Sequence, residues 1–81
     1  MTIGETTEVE AHFDVSGKIV PRRFTWHGST LVIEGVGRRW REEGVRCFAV
    51  LAAGGRPFEL RLDEETLRWR VSRHSVPGSV V

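Results

Sequence analysis

Turn signals recur about every ten residues along this chain, and no other feature constrains its fold as much. Ser16-Gly17, His27-Gly28, Glu42-Glu43-Gly44, Gly54-Gly55 and Asp63-Glu64-Glu65-Thr66 each place residues that bend a backbone sharply between more apolar segments. Regular spacing of this kind predicts an antiparallel β meander.

The segments between the turns carry the period of half-buried strands. Residues 8–14 alternate, with Val9, Ala11 and Phe13 on one face and Glu8, Glu10, His12 and Asp14 on the other. A two-residue turn at Ser16-Gly17 would set Phe13 opposite Val20 and Val9 opposite Phe24. Pro21 cannot donate to a ladder, so an edge position or a local irregularity is expected there. His27-Gly28 suits a type I′ hairpin and pairs Trp26 with Ser29, Phe24 with Leu31 and Arg22 with Ile33. Arg22 would then sit at the rim of the apolar face, its stem packed and its head in water. After Ile33 the phase breaks, because Val36 and Trp40 are out of step with Leu31 and Ile33. One extra residue at Glu34-Gly35, a β-bulge, restores the step.

Residues 45–52, VRCFAVLA, are apolar on both faces. Phe48 and Val50 are assigned to the core; Cys47, Ala49 and Leu51 face the other way and need a cover, either the tail SVPGSVV or a second subunit. A three-residue loop at 54–56 sets Phe48 opposite Leu62 and Val50 opposite Leu60. The acidic turn 63–66 then pairs Leu62 with Leu67, Leu60 with Trp69 and Phe58 with Val71. The rival for residues 64–72 is a short helix capped by Asp63; the alternation Leu67, Trp69, Val71 against Arg68, Arg70, Ser72 favours a strand.

Six strands with one apolar face and no helix to cover it must curl. The expected fold is therefore all-β: a single small domain over 1–74, a six-stranded antiparallel meander bent strongly or closed into a small barrel, with residues 75–81 as a tail. Trp26, Trp40 and Trp69 are expected inside or at its rim. At 81 residues the chain is near the lower limit for a self-sufficient core. The single Cys47 excludes an internal disulfide, and no spacing suggests a metal site or a cofactor. MTIGETTEVE has neither a basic region nor an apolar run, so no signal peptide is expected. No apolar stretch has the length of a membrane helix, and a cytoplasmic protein without membrane contact is the expectation.

No catalytic constellation emerges, and a non-enzymatic role is expected. His12, His27 and His74 have no triad spacing, and Cys47 lies mid-strand with no flanking histidine, so it reads as a small buried apolar residue. Charge is more informative. Residues 1–17 hold four acids and no base; from Lys18 onward there are 12 bases against 7 acids, and 11 of the bases are arginine. Arginine offers a planar fork of donors suited to phosphate, although coding DNA rich in G and C also raises its count. The register of the last hairpin sets Arg61 opposite Arg68 and Glu59 opposite Arg70. Arg46 and the run Arg38-Arg39-Arg41 can enlarge that face, which is either a solvated surface or a site for phosphate, an acidic protein or a nucleic-acid backbone. Exposed aromatics would strengthen the nucleic-acid case, but the tryptophans are all assigned to the core.

Phe24-Thr25-Trp26-His27-Gly28, Leu31, Ile33, Val36, Trp40, Cys47-Phe48-Ala49-Val50, Glu59-Leu60-Arg61-Leu62-Asp63, Thr66 and Trp69 form an ordered pattern. Over about residues 9–73 it resembles a family of small bacterial domains of unknown function, some encoded near genes of the translesion-polymerase type. The chain departs from that pattern at Leu31 and Phe48, where the family often has Tyr, and in a shorter segment between Trp40 and Phe48. The resemblance implies a small all-β fold and, through gene neighbourhood, a setting in DNA repair; it carries over no catalytic residue. Two functional expectations follow. One is an accessory module that contacts a protein or nucleic-acid partner through the arginine face. The other is a structural homodimer joined through Cys47, Ala49 and Leu51.

Overall fold

Seven antiparallel strands form one sheet in the computed structural model, which describes residues 4–73. They are β1 (Glu5–Thr7), β2 (Val9–Phe13), β3 (Ile19–Trp26), β4 (Ser29–Glu42), β5 (Val45–Ala52), β6 (Arg56–Asp63) and β7 (Trp69–Arg73). His74 and the tail 75–81 lie outside the described residues. The strand order is β1-β7-β6-β5-β4-β3-β2, a meander curled into a half-barrel. The strand beyond the expected six is β1. It is separated from β2 by Glu8 alone, so the sheet begins and ends on consecutive pieces of chain.

The type I′ hairpin expected at His27-Gly28 is present, and the turn at Glu42-Glu43-Gly44 takes the same two-residue form. His27 (φ 47°) and Gly28 (φ 80°) join Trp26 to Ser29 and set Phe24 opposite Leu31; Glu43 (φ 46°) and Gly44 (φ 80°) join Glu42 to Val45. The Ser16-Gly17 turn is longer than expected. The Asp14 carboxylate accepts hydrogen bonds from the Ser16 and Lys18 amides and the Ser16 hydroxyl, and Gly17 takes φ 83°. This five-residue loop pairs Phe13 with Ile19, not Val20, and Phe13 stays 67 % exposed at the end of edge strand β2. The expected irregularity at Pro21 then restores step: Glu10 pairs with Arg23 and Ala11 with Pro21, so exposed Arg22 is the extra residue and Val9 meets Phe24 as the pattern requires.

The bulge at Glu34-Gly35 is present, since Ile33 pairs with Ala52 and Gly35 with Leu51. A second shift follows, Val36 pairing with Val50 but Arg39 with Phe48. Each extra residue reverses the phase of β4. The first brings Val36 inward and the second turns Arg39 inward and Trp40 outward, so Trp40 lies opposite Cys47 on the convex face and not in the core.

Both later hairpins keep the expected faces and slide by two residues. Phe48 pairs with Leu60 and Val50 with Phe58, because the three-residue loop is 53–55 and Ala52 remains fully buried against Ile33. In the last hairpin Leu62 pairs with Trp69, Leu60 with Val71, Arg61 with Arg70 and Glu59 with Ser72. The expected facing of Arg61 with Arg68, of Glu59 with Arg70 and of Leu62 with Leu67 is thus replaced. The cause is one helical turn: the Asp63 carboxylate caps the Glu65 and Thr66 amides, and Leu67 donates to the Asp63 carbonyl. Leu67 occupies the left-handed region (φ 60°) and is exposed. The strand reading of β7 holds, with that single turn as the residue of the helical rival.

The core lies on the concave face. Phe24, Phe48, Val50, Phe58, Leu60, Leu62 and Val71 are buried there, with Trp26 and Trp69 packed at its margins. Phe58 takes Phe24 and Trp26 edge-on at 5.0 and 5.1 Å between ring centroids.

Candidate anion-binding cleft

The ladder between β3 and β4 runs from Trp26–Ser29 to Arg23–Val32 and then stops. Beyond it β3 continues with β2, while the two shifts in β4 carry that strand away with β5. The parted strands leave a cleft of ≈ 330 Å³. Lys18 and Ile19 line it from the β3 side, and Arg39, Arg41 and Arg46 from β4 and β5, with Phe48 among them. Trp40 and Cys47 complete the lining.

The cations are held in different ways. Arg39 reaches across the gap and donates through Nη1 to the Ile19 carbonyl, with its guanidinium 5.5 Å from the Phe48 ring centre. Arg41 and Arg46, paired across β4 and β5, both bind Glu64 from the β6–β7 turn. Arg41 grips both carboxylate oxygens, at 3.1 Å each, and Arg46 Nε meets Oε2 at 2.9 Å. The Glu64 amide donates to the Gly44 carbonyl at 3.1 Å and fixes the acidic turn against the β4–β5 turn. Four cationic side chains therefore line the cleft, and Glu64 bridges two of them, Arg41 and Arg46, from the adjoining turn.

The other four expected arginines lie elsewhere. Arg61 and Arg70 pair with each other on the convex face. Arg61 bonds Glu59 at 2.6 Å and approaches Glu42 at 3.6 Å, and its buried Nε has no hydrogen-bond partner among the described residues. Partial burial opposes its charge, yet Glu59 and Glu42 outweigh that and hold the guanidinium above its usual value. Arg70 donates to the Gly4 carbonyl at 3.2 Å. Arg38 stacks 4.9 Å from the centre of the Trp40 ring, whose N–H donates to Glu42 at 2.8 Å. Arg68 sits exposed beside the last turn. The single arginine face expected from the sequence is thus divided, with Arg39, Arg41 and Arg46 inside the curl and Arg61, Arg70 and Arg38 outside.

Sequence reasoning missed Lys18, Ile19, Phe48 and Glu64 as members of one site. Its only available signal was Gly37, two residues after Gly35, which marks the second shift that parts the strands. Among the described residues no group of three or more His, Cys, Asp and Glu side chains has a metal-holding arrangement, and no helix is long and apolar enough to cross a membrane. Comparison of the chain with family models, with curated proteins and with solved structures finds no match in any of the three.

Proposed function

We propose that this domain is a non-enzymatic binding module that holds a polyanionic partner, best matched by single-stranded nucleic acid, in the cleft between β3 and β4. The observation that carries this reading is the convergence of Lys18, Arg39, Arg41 and Arg46 on one concave site. Arginine forks and a lysine suit phosphate oxygens, and a basic groove flanked by aromatic rings is the usual design of single-strand binders. An aromatic of the required exposure stands next to the site: Phe13 is the register partner of Ile19. A concave cleft between two strands also favours a flexible single strand over the convex ridge of a duplex. The gene-neighbourhood expectation of DNA repair is compatible with such a partner and rests on resemblance alone. The homodimer reading draws on Leu51, which is 43 % exposed, but Cys47 at the other end of that face is already 1 % exposed within one chain.

The test is a fluorescence-anisotropy titration with labelled single-stranded oligonucleotides at several salt concentrations. Binding should weaken with salt with a log–log slope of about −2, as expected if roughly three phosphates are neutralised on a single strand. Lys18→Glu and Arg41→Glu should each weaken it more than Arg56→Glu, which changes the same charge at the opposite end of β6. No binding at low salt, or equal losses in all three variants, removes the reading.

A further inference from the structure

Among the described residues Glu64 is the carboxylate held by cleft-lining arginines, Arg41 and Arg46, and its contacts resemble a bound ligand more than a surface ion pair. Three guanidinium N–H groups from two strands converge on its two oxygens at 2.9 to 3.1 Å. Exposed ion pairs contribute little to stability, and this one is partly exposed: the side chains are 57 % accessible for Arg41, 36 % for Arg46 and 33 % for Glu64. Its backbone position does not depend on the carboxylate, because the Glu64 amide is tied to Gly44 and the turn is capped by Asp63. The side chain can therefore swing out while its turn stays in place. A phosphodiester matches what it would leave behind, with one negative charge and two free oxygens to accept from the same donors.

We propose that Glu64 is an internal placeholder for a phosphodiester of the bound strand, so that binding exchanges the Glu64 carboxylate for a backbone phosphate on Arg41 and Arg46. This rests on the cleft being the binding site, and it adds a built-in competitor that sets affinity and selects against weakly charged ligands. Glu64 lowers the apparent affinity of the cleft for every anion, and only a ligand that offers several phosphates to Lys18, Arg39, Arg41 and Arg46 together displaces it.

The experiment compares wild type with Glu64→Gln, using one labelled oligonucleotide with a natural backbone and one whose backbone is uncharged methylphosphonate. Glu64→Gln keeps the backbone bond to Gly44 and should bind the natural strand roughly two- to fivefold more tightly, on the scale of one lost exposed ion pair. The uncharged strand should gain nothing. A wild-type measurement supplies the second arm: on titration with the natural strand, the Glu64 carboxylate carbon resonance should move to its position in a free glutamate, while the Arg46 Nε–H signal stays hydrogen-bonded. Binding by wild type with unchanged or weaker affinity in Glu64→Gln, or an unmoved Glu64 resonance at saturation, overturns the placeholder and leaves the cleft reading intact. Absence of binding by both proteins at low salt overturns both.

Discussion

Cys47 shows how much one side chain depends on distant register. Its position in the middle of a strand marks it as buried, and it is 1 % exposed. Its surroundings are less obvious from the sequence: Trp40 and Arg61 flank it across the strands on the convex face, and Trp40 arrives there only through the second shift in β4. Burial pushes the thiol above its ordinary value of 9.0, and the charge of Arg61 only partly opposes this. Folding thus holds the proton on Cys47 to higher pH than the unfolded chain does. The resulting stability is complete below pH 9.0 and is lost as pH rises through the native value. Urea midpoints measured between neutral pH and about pH 10.5 should therefore fall more steeply for wild type than for Cys47→Ala. Parallel profiles would show that the thiol does not contribute. Every other ionisable side chain is common to the two proteins, so the difference between the profiles belongs to the thiol.

Alternation identifies which residues of a strand face inward, and it does so correctly for β5, β6 and β7. It does not identify which residue stands opposite which, because that depends on the conformation of each turn. The acidic turn makes the point. Four residues, 64–67, form its loop, and Leu67 ends it in the left-handed region, a place that propensity assigns to Gly or Asn and not to a leucine. Counting from Thr66 therefore misplaces Trp69 by two residues while keeping it on the correct face. The element that overrides the propensity of Leu67 is the Asp63 carboxylate, which accepts from both the Glu65 and Thr66 amides at 2.9 and 3.1 Å. Asp63→Ala should cost about 1 kcal/mol, the usual loss for such a cap, and lower the melting temperature by roughly 4–8 °C. Asp63→Asn should retain most of the stability. Calorimetry that finds the two variants equally stable would assign the turn to its backbone alone. The bulge at Glu34-Gly35 was legible because large apolar residues change phase around it. Its successor was not, since the residues between Val36 and Arg39 are Gly37 and Arg38, and neither reports an inward face.

At the scale of the whole sheet, curvature and closure have separate origins. Shifts in β3 and β4 bend the sheet, whereas the N-terminal segment brings its ends together: β1 pairs with β7, β2 pairs with β3, and only Glu8 intervenes. GETTE carries no apolar residue, so hydrophobic period gives it no strand signal; its place is set by polar contacts instead. Gly4 passes so close to β7 that a Cβ would lie 2.8 Å from the Val71 carbonyl oxygen. Thr7 is 9 % exposed, and its hydroxyl donates to the Thr25 carbonyl at 2.6 Å while accepting from the Thr25 amide at 3.1 Å. This one hydroxyl joins β1 to β3 across the place where no ladder connects them, and the Thr25 amide also reaches the Glu8 carbonyl at 3.1 Å. Thr7→Val preserves shape but withdraws both bonds, leaving backbone groups of Thr25 less well satisfied, at a cost of about 1–2 kcal/mol. Thr7→Ser keeps the hydroxyl and should lose far less. Amide hydrogen exchange separates loss of closure from general weakening. In Thr7→Val, protection should fall first where β1 meets β7, at Trp69 to Val71, while β5 and β6 keep theirs; a uniform loss across the sheet would mean that the ends are held together by packing, with the hydroxyl incidental.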